Sequence, residues 1–179
     1  MIPIKEKYQK ILPLLSKELG QKNKMALPRL VKVVVSSGTG KAKDKKRNIL
    51  VADRLGKITG QKASERGAKQ SIASFKSRQG DIIGYAVTLR GERMRAFLDK
   101  LINVAIPRMR DFRGLDLETI DNMGNLTIGL KEHTIFPETA DEDLKDVFGL
   151  AVTVTTTAKN KKEAEALFQA LGFPFRKPR

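Results

Sequence analysis

Four stretches of this chain alternate their side chains with a period of two, and all four sort the same way. One set of positions is apolar: Val31, Val33 and Val35; Ile83, Tyr85, Val87 and Leu89; Leu126, Ile128 and Leu130; Leu150, Val152 and Val154. The other set is small, hydroxylated or basic: Lys32 and Ser36; Gly84, Ala86, Thr88 and Arg90; Thr127, Gly129 and Lys131; Thr153, Thr155 and Thr157. Successive residues of a strand point to opposite faces. Such segments therefore belong to a sheet with one covered face and one open face, an arrangement that antiparallel sheets permit.

The cover is also legible. Ile4, Tyr8, Ile11, Leu12, Leu15 and Leu19 recur at helical spacing and stop at Gly20, with Pro13 expected to kink or split the helix. Asp44 is placed to cap a second helix, faced by Leu50, Leu55 and Ile58 and ended by Gly60. A third starts near Gly91, carries Met94, Phe97, Leu98, Leu101, Ile102 and Ala105 as its apolar stripe, and stops at Pro107. Asn160 and Glu163 fit a capping box for a last helix, faced by Ala164, Leu167, Phe168 and Leu171 and closed by Gly172. With strands expected at Leu30–Ser36, Lys62–Arg66, Ile82–Arg90, Asn125–Lys131 and Leu150–Thr156, the fold class is α+β. The sheet is mostly antiparallel, of about five strands, with helices packed on one face and the other face open. There is no internal repeat and no Ser/Gly/Pro-rich linker, so the 179 residues are expected to form a single domain, 1–179, from which a basic loop, 67–80, protrudes.

What the open face meets is a question of charge. Lys and Arg total 35 against 20 acids, a formal net charge of +15. The excess is uneven: residues 1–110 carry +18 and residues 111–179 carry −3. A solubility charge would be spread along the chain, so the asymmetry points to one basic surface and a polyanionic partner. A membrane surface would also attract cations, but no basic amphipathic helix with Trp or Phe anchors is present, and no apolar run approaches the length of a membrane span. The opening Met-Ile-Pro-Ile-Lys-Glu lacks the apolar stretch of a signal peptide, so a cytosolic protein is expected. The outward positions contain no Phe or Tyr on which bases would stack. Small residues and hydroxyls instead admit a sugar–phosphate backbone, with Thr88 or Ser36 bonding 2′-hydroxyls and Arg90 or Lys32 pairing phosphates. Nucleic acid is thus expected to be read as structured RNA, by shape.

Other motifs weigh less. Ser37-Gly38-Thr39-Gly40-Lys41 has the wrong glycine spacing for a phosphate loop, and Ala42 follows the lysine, so it reads as a strand-exit turn. Lys41, Lys43, Lys45, Lys46 and Arg47 crowd the start of the second helix, where exposed cations cost about 0.3–1 kcal/mol each and nearby phosphates would reverse the sign. The loop GAKQSIASFKSRQG, Gly67–Gly80, holds Lys69, Lys76 and Arg78 and no acid, with Ile72 and Phe75 as apolar tips. Its length marks it as a contact arm. His133 reads as an ordinary surface or strand-end residue. Glu138, Asp141, Glu142, Asp143 and Asp146 read as a solvated turn and helix start, their spacing fitting no EF-hand loop. The chain has no cysteine, and no triad, nucleophile elbow or paired-carboxylate site is visible. Neither catalysis nor a metal or cofactor is expected.

Several motifs carry a family resemblance: VTLRGERM (Val87–Met94), INVAIPRMRDFRGL (Ile102–Leu115), GNLTIGLKEHTIFPE (Gly124–Glu138), TTTAK (Thr155–Lys159) and GFPFRK (Gly172–Lys177). Together they resemble the bacterial family of large-subunit ribosomal protein five, from about Lys5 to Lys177. The resemblance implies a ribosomal protein in the cytoplasm that binds 5S ribosomal RNA in the central protuberance, beside large-subunit ribosomal RNA and neighbouring large-subunit proteins. The family's 5S contacts fall on Lys32, Ser36, Gly38, Gln61, Lys62, Thr88 and Arg90. The stretch Lys69–Gln79, with Lys69, Ser71, Phe75, Lys76, Arg78 and Gln79, resembles the family's arm to peptidyl-site transfer RNA, and the same region resembles the part that touches a small-subunit head protein in an intersubunit bridge. The chain departs from the family at Ser36, where Asn is usual, at Ser74, where Gly is usual, and at Thr139-Ala140-Asp141-Glu142, which replaces a Tyr-Asp-Lys stretch. A general architectural nucleic-acid binder and an RNA-processing enzyme are the competing readings.

Overall fold

The computed structural model describes residues 3–21, 23–40, 45–75, 77–110, 112–140 and 147–176. Nine elements position the site: α1 (Ile4–Glu18), β1 (Leu30–Gly38), α2 (Lys45–Thr59), β2 (Ser64–Gly67), β3 (Ile82–Leu89), α3 (Gly91–Lys100), β4 (Leu126–Leu130), β5 (Leu150–Thr156) and α4 (Lys161–Leu171). The five strands form one sheet in the order β2-β3-β1-β5-β4. Register makes it antiparallel. Ser64 to Arg66 of β2 oppose Ala86 to Gly84 of β3. Thr39 N–H donates to Ile83 O, Ser37 Oγ to Gly149 O and Thr157 N–H to Arg29 O, so sequence numbers fall on one strand as they rise on its neighbour.

The alternation read from the sequence holds in β4 and β5, where Leu126, Ile128, Leu130, Leu150, Val152 and Val154 are buried and the residues between them are not. In β1, Val33 and Val35 are buried and Lys32 and Ser36 half-buried. β3 departs at two points. Ile83 is 39% exposed although its parity puts it on the covered face. Gly84 and Ala86 are buried although their parity is outward. β3 is flanked on both sides by strands, and residues that small are shielded by their neighbours alone.

Contacts divide the chain into two compact units, Met1–Val33 with Arg90–Ile128 and Thr153–Arg179, and Val34–Leu89 with Gly129–Val152. In the first, α1 packs on α3 and α4, burying Ile4, Ile11 and Leu15, all six residues of the third helix's stripe, and Ala164, Leu167, Phe168 and Leu171. The Asp99 carboxylate accepts from Ile4 N–H at 2.9 and 3.2 Å and so caps α1 from another helix. Pro13 does not split α1: it and Gln9, the residue whose carbonyl a donor at position 13 would otherwise meet, are both exposed to solvent. The expected capping box of α4 does not form: the Asn160 side chain makes no cap bond, and Glu163 accepts from Lys159 N–H at 3.0 Å, one residue before the cap, while Gly172 at φ 90° closes the helix.

In the second unit, α2 packs on β3 with Val51, Leu55 and Ile58 buried. Leu50 is half-buried, Val51 taking the place assigned to it. The expected strand at Lys62–Arg66 begins two residues later, at Ser64. His133 is neither a surface nor a strand-end residue: it opens a helical turn at His133–Ile135, past the end of β4. It is fully buried, stacks on Phe148 with 4.1 Å between ring centroids, and accepts from Phe148 N–H at Nδ1. That bond makes it a satisfied core side chain. The expected Asp44 cap and the acids Asp141, Glu142, Asp143 and Asp146 lie outside the described residues.

Candidate nucleic-acid interface

The second unit brings together five of the positions singled out above. Ser36 lies between Val35 and Ser37, both buried, and pleating turns it to the opposite face. Ser37 spends its hydroxyl inside the unit, 2.7 Å from Gly149 O. Gly38 then ends β1, exposed. Its φ is not in the left-handed region and a Cβ built there would meet nothing within 4 Å, so neither backbone nor packing asks for glycine. Gly129 in β4 is the same: exposed, and open around its missing Cβ. Glycine inside or at the end of a strand costs about 0.5–1 kcal/mol relative to alanine, and the described packing requires glycine at neither position.

Gln61 and Thr88 meet directly. Gly60, at φ 68°, ends α2 and turns the chain so that Gln61 Nε2 donates to Thr88 O at 3.3 Å. The Gln61 carbonyl accepts from Thr59 Oγ1 at 3.1 Å, which fixes the turn from the helix side. Lys62 follows, exposed. Gln61, expected as an RNA contact, thus also holds β3 in place. The edge strand β2 is exposed at all four residues, and it adds a cation that sequence patterning did not single out, Arg66, opposite Gly84. Its signal lay in strand register, which composition does not display. Beneath this surface Tyr85 is buried. Burial first, and the Glu65 carboxylate second, raise its phenol above the ordinary value of 10.0, so it stays neutral.

The first unit carries the two remaining positions. Lys32 is half-buried on β1, and Arg90 is exposed at the head of α3, in extended backbone (φ −139°, ψ 164°) with its side chain making no cap bond. Neither forms an ion pair among the described residues. A row of hydroxyls accompanies them: Thr127 and Thr153 lie 3.2 Å apart at Oγ1, and Thr157 Oγ1 accepts from Arg29 N–H at 3.0 Å.

The loop between β2 and β3 is a built hairpin. Ala68 N–H donates to Asp81 O and Gly80 N–H to Ala68 O, closing its base. Gln79 N–H donates to Ser71 Oγ at 2.9 Å, and Ile72 and Ser77 form an antiparallel bridge below a helical turn at Ala73–Phe75. Lys69, Arg78 and Gln79 are exposed, and Phe75 is 74% exposed at the tip. Lys76 lies outside the described residues, as do Lys41 and Lys43 of the basic run. From that run, Arg47 Nη2 donates to Val147 O at 3.3 Å. Among the described residues no group of three or more His, Asp and Glu is placed to hold a metal, and no helix is long and apolar enough to cross a membrane.

Comparison with known proteins adds a second line. Residues 23–78 match the family described as ribosomal protein L5, and residues 82–175 match the model of that ribosomal family's C-terminus. The chain is 47% identical over 178 residues to the large ribosomal subunit protein uL5 of Fervidobacterium nodosum, covering 98% of this chain and 97% of that one. It is 48% identical over 177 residues to the uL5 of Natranaerobius thermophilus, covering 98% and 99%. With the uL5 of a Thermoanaerobacter species it shares 45% over 179 residues, covering 99% and 100%.

Proposed function

The chain belongs to the ribosomal protein L5 family, and we propose on that premise that it holds 5S ribosomal RNA against the open side of its sheet. As a member it is a structural, non-enzymatic constituent of the large ribosomal subunit, located in the ribosome, with ribosomal RNA and ribosomal proteins as its partners. The finer reading assigns 5S RNA contacts to Lys32, Ser36, Gly38, Gln61, Lys62, Thr88 and Arg90. It assigns the arm, through Lys69, Ser71, Phe75, Lys76, Arg78 and Gln79, to peptidyl-site transfer RNA and to a bridge with a small-subunit head protein.

The observation that carries the RNA assignment is the pair of strand glycines, Gly38 and Gly129, open around their missing Cβ atoms. The outward positions of the strands carry hydroxyls and cations and no Phe or Tyr, so the surface suits a sugar–phosphate backbone more than splayed bases.

Charge reversal at Arg90 tests it. The side chain is exposed and bonds no cap position, and an acid at a helix start is favourable, so Arg90→Glu leaves the fold intact. Filter binding to 5S RNA is expected to weaken by about tenfold or more, with an unchanged melting temperature. Equal affinity of variant and parent removes Arg90 from the interface.

A further inference from the structure

The basic arm between β2 and β3 ends on an acid. Residues 67–80 contain no Asp or Glu, and Asp81 follows directly. A carboxylate beside an arm that meets a polyanion weakens the attraction, so Asp81 needs another reason to stand there. Pairing with a cation is not that reason: Asp81 is exposed and forms no ion pair among the described residues.

Its bonds supply one. Asp81 N–H donates to Arg78 O at 3.1 Å, Asp81 O accepts from Ala68 N–H at 2.8 Å, and Asp81 Oδ2 accepts from Arg78 N–H at 2.8 Å. Arg78–Asp81 is thereby a turn closed from both ends, with Gly80 at φ 91°, the left-handed conformation that the third residue of a type II turn needs. Gly80 N–H donates to Ala68 O at 3.0 Å, which seats the turn on the rising limb at a buried residue. The next amide is held from the other limb, since Gln79 N–H donates to Ser71 Oγ at 2.9 Å. Two consecutive amides of the descending limb are thus fixed by side-chain oxygens, one at the base and one on the rising limb. The carboxylate is the stronger acceptor of the two, because charge assistance roughly doubles such a bond. Just below, the register of β2 against β3 slips between Arg66 and Gly67, and a slip of that kind bends the strand where the arm leaves the sheet.

We propose that Asp81 is the positioning residue of the arm: its carboxylate locks the descending limb, so that Arg78 and Gln79 meet a polyanion in one fixed arrangement. Order established in the free chain is entropy not lost on binding. What the lock serves rests on the reading of the arm as a transfer RNA contact; the lock itself acts in the free chain and is measured there.

The test compares the parent with Asp81→Ala and with Asp81→Asn, which drops the charge and keeps an oxygen acceptor. In the free full-length chain, amide relaxation measured by NMR gives order parameters near ~0.8 at Arg78 and Gln79 for the parent, below about 0.6 for Asp81→Ala, and close to the parent for Asp81→Asn. Solvent exchange of the Arg78 amide speeds up about tenfold in Asp81→Ala. Affinity for 5S RNA stays within about twofold in both variants, since β2 and β3 keep their pairing. In ribosomes assembled with each chain, the Kd of deacylated transfer RNA at the peptidyl site rises at least about threefold with Asp81→Ala and does not rise with Asp81→Asn. Electrostatics alone demands the opposite sign, tighter binding whenever the acid is removed. Tighter binding by Asp81→Ala therefore overturns the proposal, as do order parameters that do not move, or an Asp81→Asn chain as loose as Asp81→Ala. A chain lacking Lys69–Gln79 is the control. Unchanged transfer RNA affinity there removes the partner assigned to the arm, while the order parameters still decide the role of Asp81.

Discussion

Gly38 and Gly84 are adjacent in space and opposite in meaning. A methyl on Gly84 would stand 2.8 Å from Ser37 O and 3.5 Å from Gly38 Cα, so strands β3 and β1 touch there and glycine is a packing requirement. Gly84→Ala is expected to lower stability by about 1–3 kcal/mol, seen as a melting-temperature drop of several degrees, whereas Gly38→Ala, relieved of glycine's cost, raises the melting temperature by about 1–4 °C. Nothing in the sequence separates these glycines, since each sits in a β-forming run; only the partner strand does. Asp121 offers a second residue-scale check. Burial alone would raise its carboxyl, but it accepts from Asn125 N–H at 2.7 Å and Asn125 Nδ2 at 2.9 Å, and with Met123 N–H these bonds hold it below the ordinary 3.8. A carboxyl lowered by folding contributes stability above its unfolded value, lost as pH falls through the folded one. The parent is therefore expected to lose stability relative to Asp121→Asn as pH drops below about 4, in urea titrations at stepped pH. A gap that stays constant with pH denies the turn this role.

At the scale of elements, the arm between β2 and β3 is separable from the sheet that carries it. Its base is closed by bonds among Ala68, Gly80 and Asp81, and β2 pairs with β3 before the arm begins, so both strands keep their partners when the tip is removed. Replacing Lys69–Gln79 with a short glycine linker is expected to leave 5S RNA affinity within about twofold and to impair steps that depend on peptidyl-site transfer RNA, measured in a reconstituted translation assay. Loss of 5S binding on trimming would mean the two surfaces had been exchanged. The strands and helices themselves were legible because period and burial coincide: Leu126 to Leu130 and Leu150 to Thr156 alternate in sequence and in exposure alike. Legibility failed where tertiary context decides. Pro13 is tolerated because its side of α1 faces water, and His133 is buried because Phe148 supplies both a ring to stack on and an N–H to accept. Strand parity is what singled out Ser36 and Thr88 as outward positions of the proposed site. Gln61 came only from the family resemblance, and no pattern disclosed its bond to Thr88 O.

For the whole molecule the governing quantity is charge, and charge alone does not say which polyanion wins. A net +15 binds any nucleic acid with steep salt dependence, since every neutralised phosphate releases counterions. On the proposed reading, selectivity has to come from geometry: glycines open to a backbone, outward hydroxyls for a 2′-OH, and cations at fixed places. DNA offers the phosphates without the 2′-OH and in a different helical form. Excess duplex DNA is therefore expected to leave 5S RNA bound at physiological ionic strength, while unlabelled 5S RNA displaces it fully, in a competition filter assay. The contrast should sharpen as salt rises, because the phosphate term weakens for both competitors while the hydroxyl contacts do not. If duplex DNA displaces 5S RNA at comparable phosphate concentration, the surface is a general cationic face, and the strand glycines and hydroxyls contribute nothing to recognition.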